Sequence, residues 1–86
     1  MKYGYKELRK IESGKIRALC IKKNWFTNGT NEEYGKLLDY GKCENITSDE
    51  LVEMAELILE HSETDYPLTA VMYELCELCY SYFEEV

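Results

Sequence analysis

The chain has one proline, one histidine, one tryptophan and five glycines in 86 residues. It has no apolar run near the ~18 residues that a membrane-crossing helix needs. So little proline and glycine leaves no room for a flexible linker, and no internal repeat or low-complexity stretch is present, so residues 1–86 read as a single domain. One histidine, no glycine-rich phosphate loop and no Ser or Cys beside a recognisable base remove the usual catalytic sets. The expectation is a protein that is not an enzyme, with no catalytic residue, cofactor or metal. The opening Lys2-Tyr3-Gly4-Tyr5-Lys6 leads into no apolar stretch of signal-peptide length, which points to the cytoplasm, reduced thiols and no membrane partner. On that footing the sequons at Asn28-Gly29-Thr30 and Asn45-Ile46-Thr47 are read as turn and cap chemistry rather than glycosylation sites.

What is present is enough to fold. Hydrophobic residues make up 45% of the chain and charged residues 31%, too apolar a balance for a disordered tail. Thr47-Ser48-Asp49-Glu50 is a capping box, with Ile46 and Leu51 placed as a hydrophobic staple, and Thr30-Asn31-Glu32-Glu33 repeats the box without the staple. Asn28-Gly29 supplies a pair tolerant of positive φ for the turn ahead of it. Pro67, with Asp65 before it, suits the first turn of a third helix, read as running from there to the end of the sequence. Ser13-Gly14 interrupts a helical composition and separates a short segment near Tyr3 to Glu12 from a helix near Lys15 to Asn24, with strand pairing across Glu12 to Lys15 a weak competitor. The fold class is therefore all-α, a small antiparallel bundle of four to five helices.

Four cysteines invite a metal or redox reading. On a wheel of ~100° per residue, Leu68, Val71, Met72, Leu75, Cys79, Tyr82, Phe83 and Val86 share one face of the last helix, with Cys79 near its middle and Cys76 at its margin. Glu74, Glu77, Glu84 and Glu85 fall opposite. A redox CxxC needs a helix N-terminus to stabilise the thiolate, whereas Cys76 and Cys79 lie well inside a helix among carboxylates. A zinc site drawing on Cys20, Cys43, Cys76, Cys79 and His61 lacks a second knuckle, so these thiols are read as packing groups. His61 closes the helix that begins at Ser48 and is read as a partner for its C-terminal dipole.

The net charge of −7 is unevenly spread. Lysines 2, 6, 10, 15, 22 and 23 and arginines 9 and 17 crowd the first segment, whereas no base follows Lys42 and twelve of the seventeen acids do. Asp49, Glu53, Glu56, Glu60 and Glu63 recur at steps of four, three, four and three, which aligns them as one stripe opposite Leu51, Met54, Ala55 and Ile58. Three readings compete. The basic first segment folds across the stripe and neutralises it, the stripe meets a partner with a basic surface as a row of phosphate-like charges, or the basic segment itself binds nucleic acid. The last is disfavoured, because the helix that would enter a groove carries the acids and no Arg or Lys for base edges.

Eight tyrosines are many for this length. Tyr73, Cys76 and Tyr80 form a second stripe on the last helix, read first as packing and otherwise as a surface for a partner or for self-association. Trp25 and Phe26, before the Asn28-Gly29 turn, are read as anchors of an interhelix corner, with an interface hot spot as the alternative.

The stretch "IRALCIKKNWFTNGTNEEYGKLL" resembles small uncharacterised proteins encoded on phages and conjugative elements of Gram-positive bacteria, with an aromatic-Thr-x-Gly-Ser/Thr-Asn turn before a helix carrying Tyr. It covers about a quarter of the chain, and the motif is a turn and cap that transfers no catalytic residue. What the resemblance implies is a mobile-element protein of the kind that includes short acidic blockers of host defence enzymes, among them anti-CRISPR proteins. The function expected is thus a small acidic protein-interaction module docking on a basic nucleic-acid-binding surface, with a helical adaptor or self-associating protein as the alternative.

Overall fold

The computed structural model describes residues 3–6, 10–63, 65–78 and 82–85. Four helices make its body, α1 (Ser13–Lys23), α2 (Asn31–Asp39), α3 (Ser48–Glu60) and α4 (Leu68–Leu78), with a 3-10 turn over Tyr40–Lys42. This is the small all-α fold the sequence predicts. Two four-residue strands, β1 (Tyr3–Lys6) and β2 (Tyr82–Glu85), are added as an antiparallel ribbon in which Tyr3 pairs with Glu85 and Lys6 with Tyr82.

Both capping boxes form. The Thr30 hydroxyl accepts from the Glu33 amide at 3.2 Å while the Glu33 carboxylate accepts from the Thr30 amide at 3.0 Å, and Thr47 and Glu50 repeat the exchange at 3.1 Å each way. Glu33 and Glu50 are held below the ordinary carboxylate value, first by the amides of Thr30 and Thr47 and then by their hydroxyls. Ile46 and Leu51, the expected staple, are both buried. Helix α4 starts one residue after Pro67, whose carbonyl accepts from the Ala70 amide at 3.0 Å.

Three boundaries differ from the sequence reading. Ser13-Gly14 opens α1 rather than breaking it, because the Ser13 hydroxyl donates to the Leu38 carbonyl at 2.6 Å and anchors the helix start on the end of α2. Gly41 lets the 3-10 turn approach that point, since a Cβ there would overlap Ser13. The segment ahead of α1 contains strand β1 rather than a short helix, and α4 stops at Leu78, with β2 beyond it. A helical wheel carried to Val86 is therefore wrong at Tyr82–Glu85, where inter-strand pairing takes the backbone hydrogen bonds. Cys79 and Tyr80 lie outside the described residues.

One core joins the helices. Ile16, Leu19 and Cys20 of α1 and Leu37 of α2 meet Leu51, Met54, Ala55 and Ile58 of α3 and Val71, Met72, Leu75 and Cys76 of α4. Cys76, expected at the margin, is 1% exposed and packs in the core with Val71, Met72 and Leu75. The radius of gyration, 11.9 Å, equals the ~12 Å expected of a compact domain of this size.

The corner between α1 and α2 is the most tightly specified part. Asn24 ends α1 in the left-handed region at φ 56°, with its amide donating to the Ile21 carbonyl at 3.2 Å and the Trp25 amide to Cys20 at 2.9 Å, an arrangement that Asn tolerates. Phe26 is also left-handed, at φ 63°, where a bulky side chain is uncommon. Its amide donates to the Ser62 hydroxyl at 3.0 Å, and its buried ring sits 5.0 Å from the His61 ring and 5.2 Å from that of Tyr34. Positive φ thus falls on Asn24 and Phe26 and not, as expected, on Asn28-Gly29. Gly29 is required instead for space, since a Cβ there would overlap the Phe26 ring. The Asn28 amide donates to the His61 carbonyl at 2.9 Å, fastening the corner to the end of α3.

Candidate protein-binding face

Helix α3 is cut into two faces by its own sequence. Leu51, Met54, Ala55 and Ile58 are each 0% exposed, so the helix can rotate no further without uncovering the core. That fixes Asp49, Glu53, Glu56 and Glu60 outward, and all four are exposed. From Asp49 to Glu60 the row runs about 16 Å at 1.5 Å per residue. Glu63, expected as its fifth member on the same helix, is exposed but lies in the bend after α3, so the helical row ends at Glu60.

Among the described bases, Lys23 reaches Glu74 of α4 at 3.2 Å, the Arg17 guanidinium lies 5.7 Å over the Tyr34 ring, and Lys42 pairs with Asp39 at 3.0 Å. None of these three contacts involves a carboxylate of the row.

A groove of about 550 Å³ runs beside the row. Glu50, Glu53, Glu56, Leu57 and Glu60 of α3 form one wall, and Lys36, Asp39, Tyr40 and Cys43 the other. The Tyr40 hydroxyl donates to Glu53 at 2.8 Å, bridging the walls. Burial, then the Glu53 hydrogen bond, push the Tyr40 phenol up to about 12, so it remains a donor at neutral pH. The Cys43 thiol donates to Glu50 at 3.6 Å and is also pushed up, by burial first and Glu50 next, which makes it a poor nucleophile. Cys20 is raised to about 11 by burial.

The sequence reading found the row but missed the groove. The i, i+3 and i, i+4 acid spacing was visible, whereas Tyr40 and Cys43 reach α3 only because the 3-10 turn carries them there. His61 caps α3 as expected but has a partner its local sequence does not announce. Rather than serving only the dipole of α3, its Nε2 meets the Glu33 carboxylate at 2.6 Å, so Glu33 caps α2 with one oxygen and holds the end of α3 with the other.

The remaining expected sites fare differently. Trp25 and Phe26 are 6% and 7% exposed, which makes them the corner's anchors and removes them from any docking surface, because their rings are spent on the core. Tyr73 is 51% exposed but Cys76 is buried, so these two do not form a common surface stripe. Cys20, Cys43 and Cys76 are in no disulfide, and the described residues gather no group of three His, Cys, Asp or Glu that could hold a metal. No described helix is long and apolar enough to cross a membrane. No family model matches the chain, and no curated protein or solved structure matches it either.

Proposed function

We propose that this chain is a small acidic protein-binding module whose α3 row docks on the basic surface of a partner. The observation that carries the reading is the exposure of Asp49, Glu53, Glu56 and Glu60 along one helix, while Lys23 and Lys42 pair with Glu74 and Asp39 outside the row. Like charges at these spacings cost their helix about 0.2–0.5 kcal/mol per pair, a cost that a basic partner turns into attraction. The partner class favoured is a nucleic-acid-binding protein, since its surface already accepts a row of anions, and a mobile-element inhibitor resembling an anti-CRISPR protein fits that description. Direct binding of nucleic acid is disfavoured, because the outward face of α3 would present carboxylates to phosphates.

The test is reversal of Glu53, Glu56 and Glu60 to Lys, with helix content followed by circular dichroism. Stoichiometric binding to a basic partner should vanish while the helices stay formed. A triple variant that binds as before would end the docking idea. The adaptor reading rests on the exposure of Tyr73 and of Ile21, 73% exposed on α1. Changing Tyr73 to Ser should then alter sedimentation or partner binding, and an unchanged profile removes that alternative.

A further inference from the structure

The groove beside the row differs from the row itself in chemistry. Asp49 belongs to the row and does not line the groove, whereas Leu57, Tyr40, Cys43 and Lys36 line the groove and do not belong to the row. A flat basic surface could satisfy the row without ever entering this cavity. The cavity is large enough for a side chain with a stem, within the ~300–1,000 Å³ range of ligand pockets.

We propose that this groove receives an arginine side chain of the basic partner. The inference rests on the docking function above and names its anchor. Three features select the occupant. Leu57 and the half-buried Tyr40 ring offer apolar area for the three-carbon stem and a π face for a flat cation. Carboxylates approach from both walls, Asp39 on one side and Glu53 and Glu56 on the other, which suits the five N–H donors of a guanidinium better than the point charge of an ammonium. Tyr40 already donates to one oxygen of Glu53, which orients that carboxylate and leaves its other oxygen for the incoming cation. Lys36 is a base among the described lining residues, and its charge opposes entry.

The test uses capped octa-arginine and octa-lysine peptides as probes, titrated into the folded chain and followed by amide chemical shifts. Octa-arginine should bind about two- to fivefold more tightly than octa-lysine, the range of an exposed cation–π contact, and the shifts should centre on Tyr40, Cys43 and Leu57. Lys36→Gln should tighten octa-arginine binding by about two- to fivefold, the span of a surface charge contact, whereas Lys22→Gln, which changes net charge equally from the far face of α1, should change it less. Both lysines are exposed, so neither variant endangers folding. Equal effects of the two variants, equal binding of the two peptides, or shifts confined to Asp49 overturn the groove and leave the docking row standing. No binding by either peptide overturns both.

Discussion

The C-terminal end of α3 and its outer face are engaged differently by the rest of the chain. At its C-terminal end, His61 and Ser62 bind the corner of residues 24–30 through Glu33, the Asn28 amide and the Phe26 amide, and the aromatic rings there are buried. Along its outer face, four carboxylates and a wide groove are left open to solvent. The corner spends the Asn28 and Phe26 amides and the Glu33 carboxylate on the end of α3, so a change there costs stability. The outer face spends few of its polar groups internally, so a change there should leave the fold intact and register only when a partner is present.

Phe26→Ala is the change expected to break the corner most. It empties a buried aromatic site at a strained backbone position, and a loss of about 3–5 kcal/mol in the urea unfolding free energy is expected. The surviving folded fraction should keep its α3 row. Charge reversal at Glu53, Glu56 and Glu60 should move unfolding by less than about 1 kcal/mol, within the range of surface substitutions. Unfolding free energies of similar size for the two variants would erase the distinction between the C-terminal end and the outer face.

Much of this division is written in the sequence. The Thr30 and Thr47 boxes, the Pro67 start and the inward set Leu51, Met54, Ala55 and Ile58 follow from local spacing, because capping and helical periodicity act over four residues or fewer. What the spacing could not convey was non-local. The ribbon of β1 and β2 pairs residues some eighty positions apart, so nothing near Tyr82 announced that Tyr82–Glu85 would be a strand. Gly29 looked like a residue chosen for its φ, yet its role is set by where the Phe26 ring lands. The groove, likewise, needs Tyr40 and Glu53, thirteen residues apart, to meet across the fold.

The caps give a smaller and more graded comparison. Thr47→Ala should cost about 1 kcal/mol, and Thr30→Ala somewhat more, because releasing Glu33 from its cap also loosens its hold on His61. Thermal melts of the two variants should rank them in that order. If Thr47→Ala is the costlier, the Glu33–His61 link contributes nothing beyond the cap.

Acid acts on the same groups. Glu33 and Glu50 have folded values below their unfolded ones, so the stability they add is present above about pH 4.5 and is lost as pH falls through the lowered folded values. Urea midpoints should therefore decline below that pH. Thr30→Ala and Thr47→Ala combined should flatten the decline, and an unaltered slope would mean that other carboxylates set it.

The most direct test of the central claim compares capture from a bacterial lysate by the native chain and by the Glu53, Glu56 and Glu60 to Lys variant, each at low salt and at several tenths molar salt, where screening shortens to a few Å. The account predicts a basic nucleic-acid-binding protein held in stoichiometric amount by the native chain at low salt, released at high salt and absent from the variant at both. The same protein retained by the variant, or retained undiminished by the native chain at high salt, would contradict it.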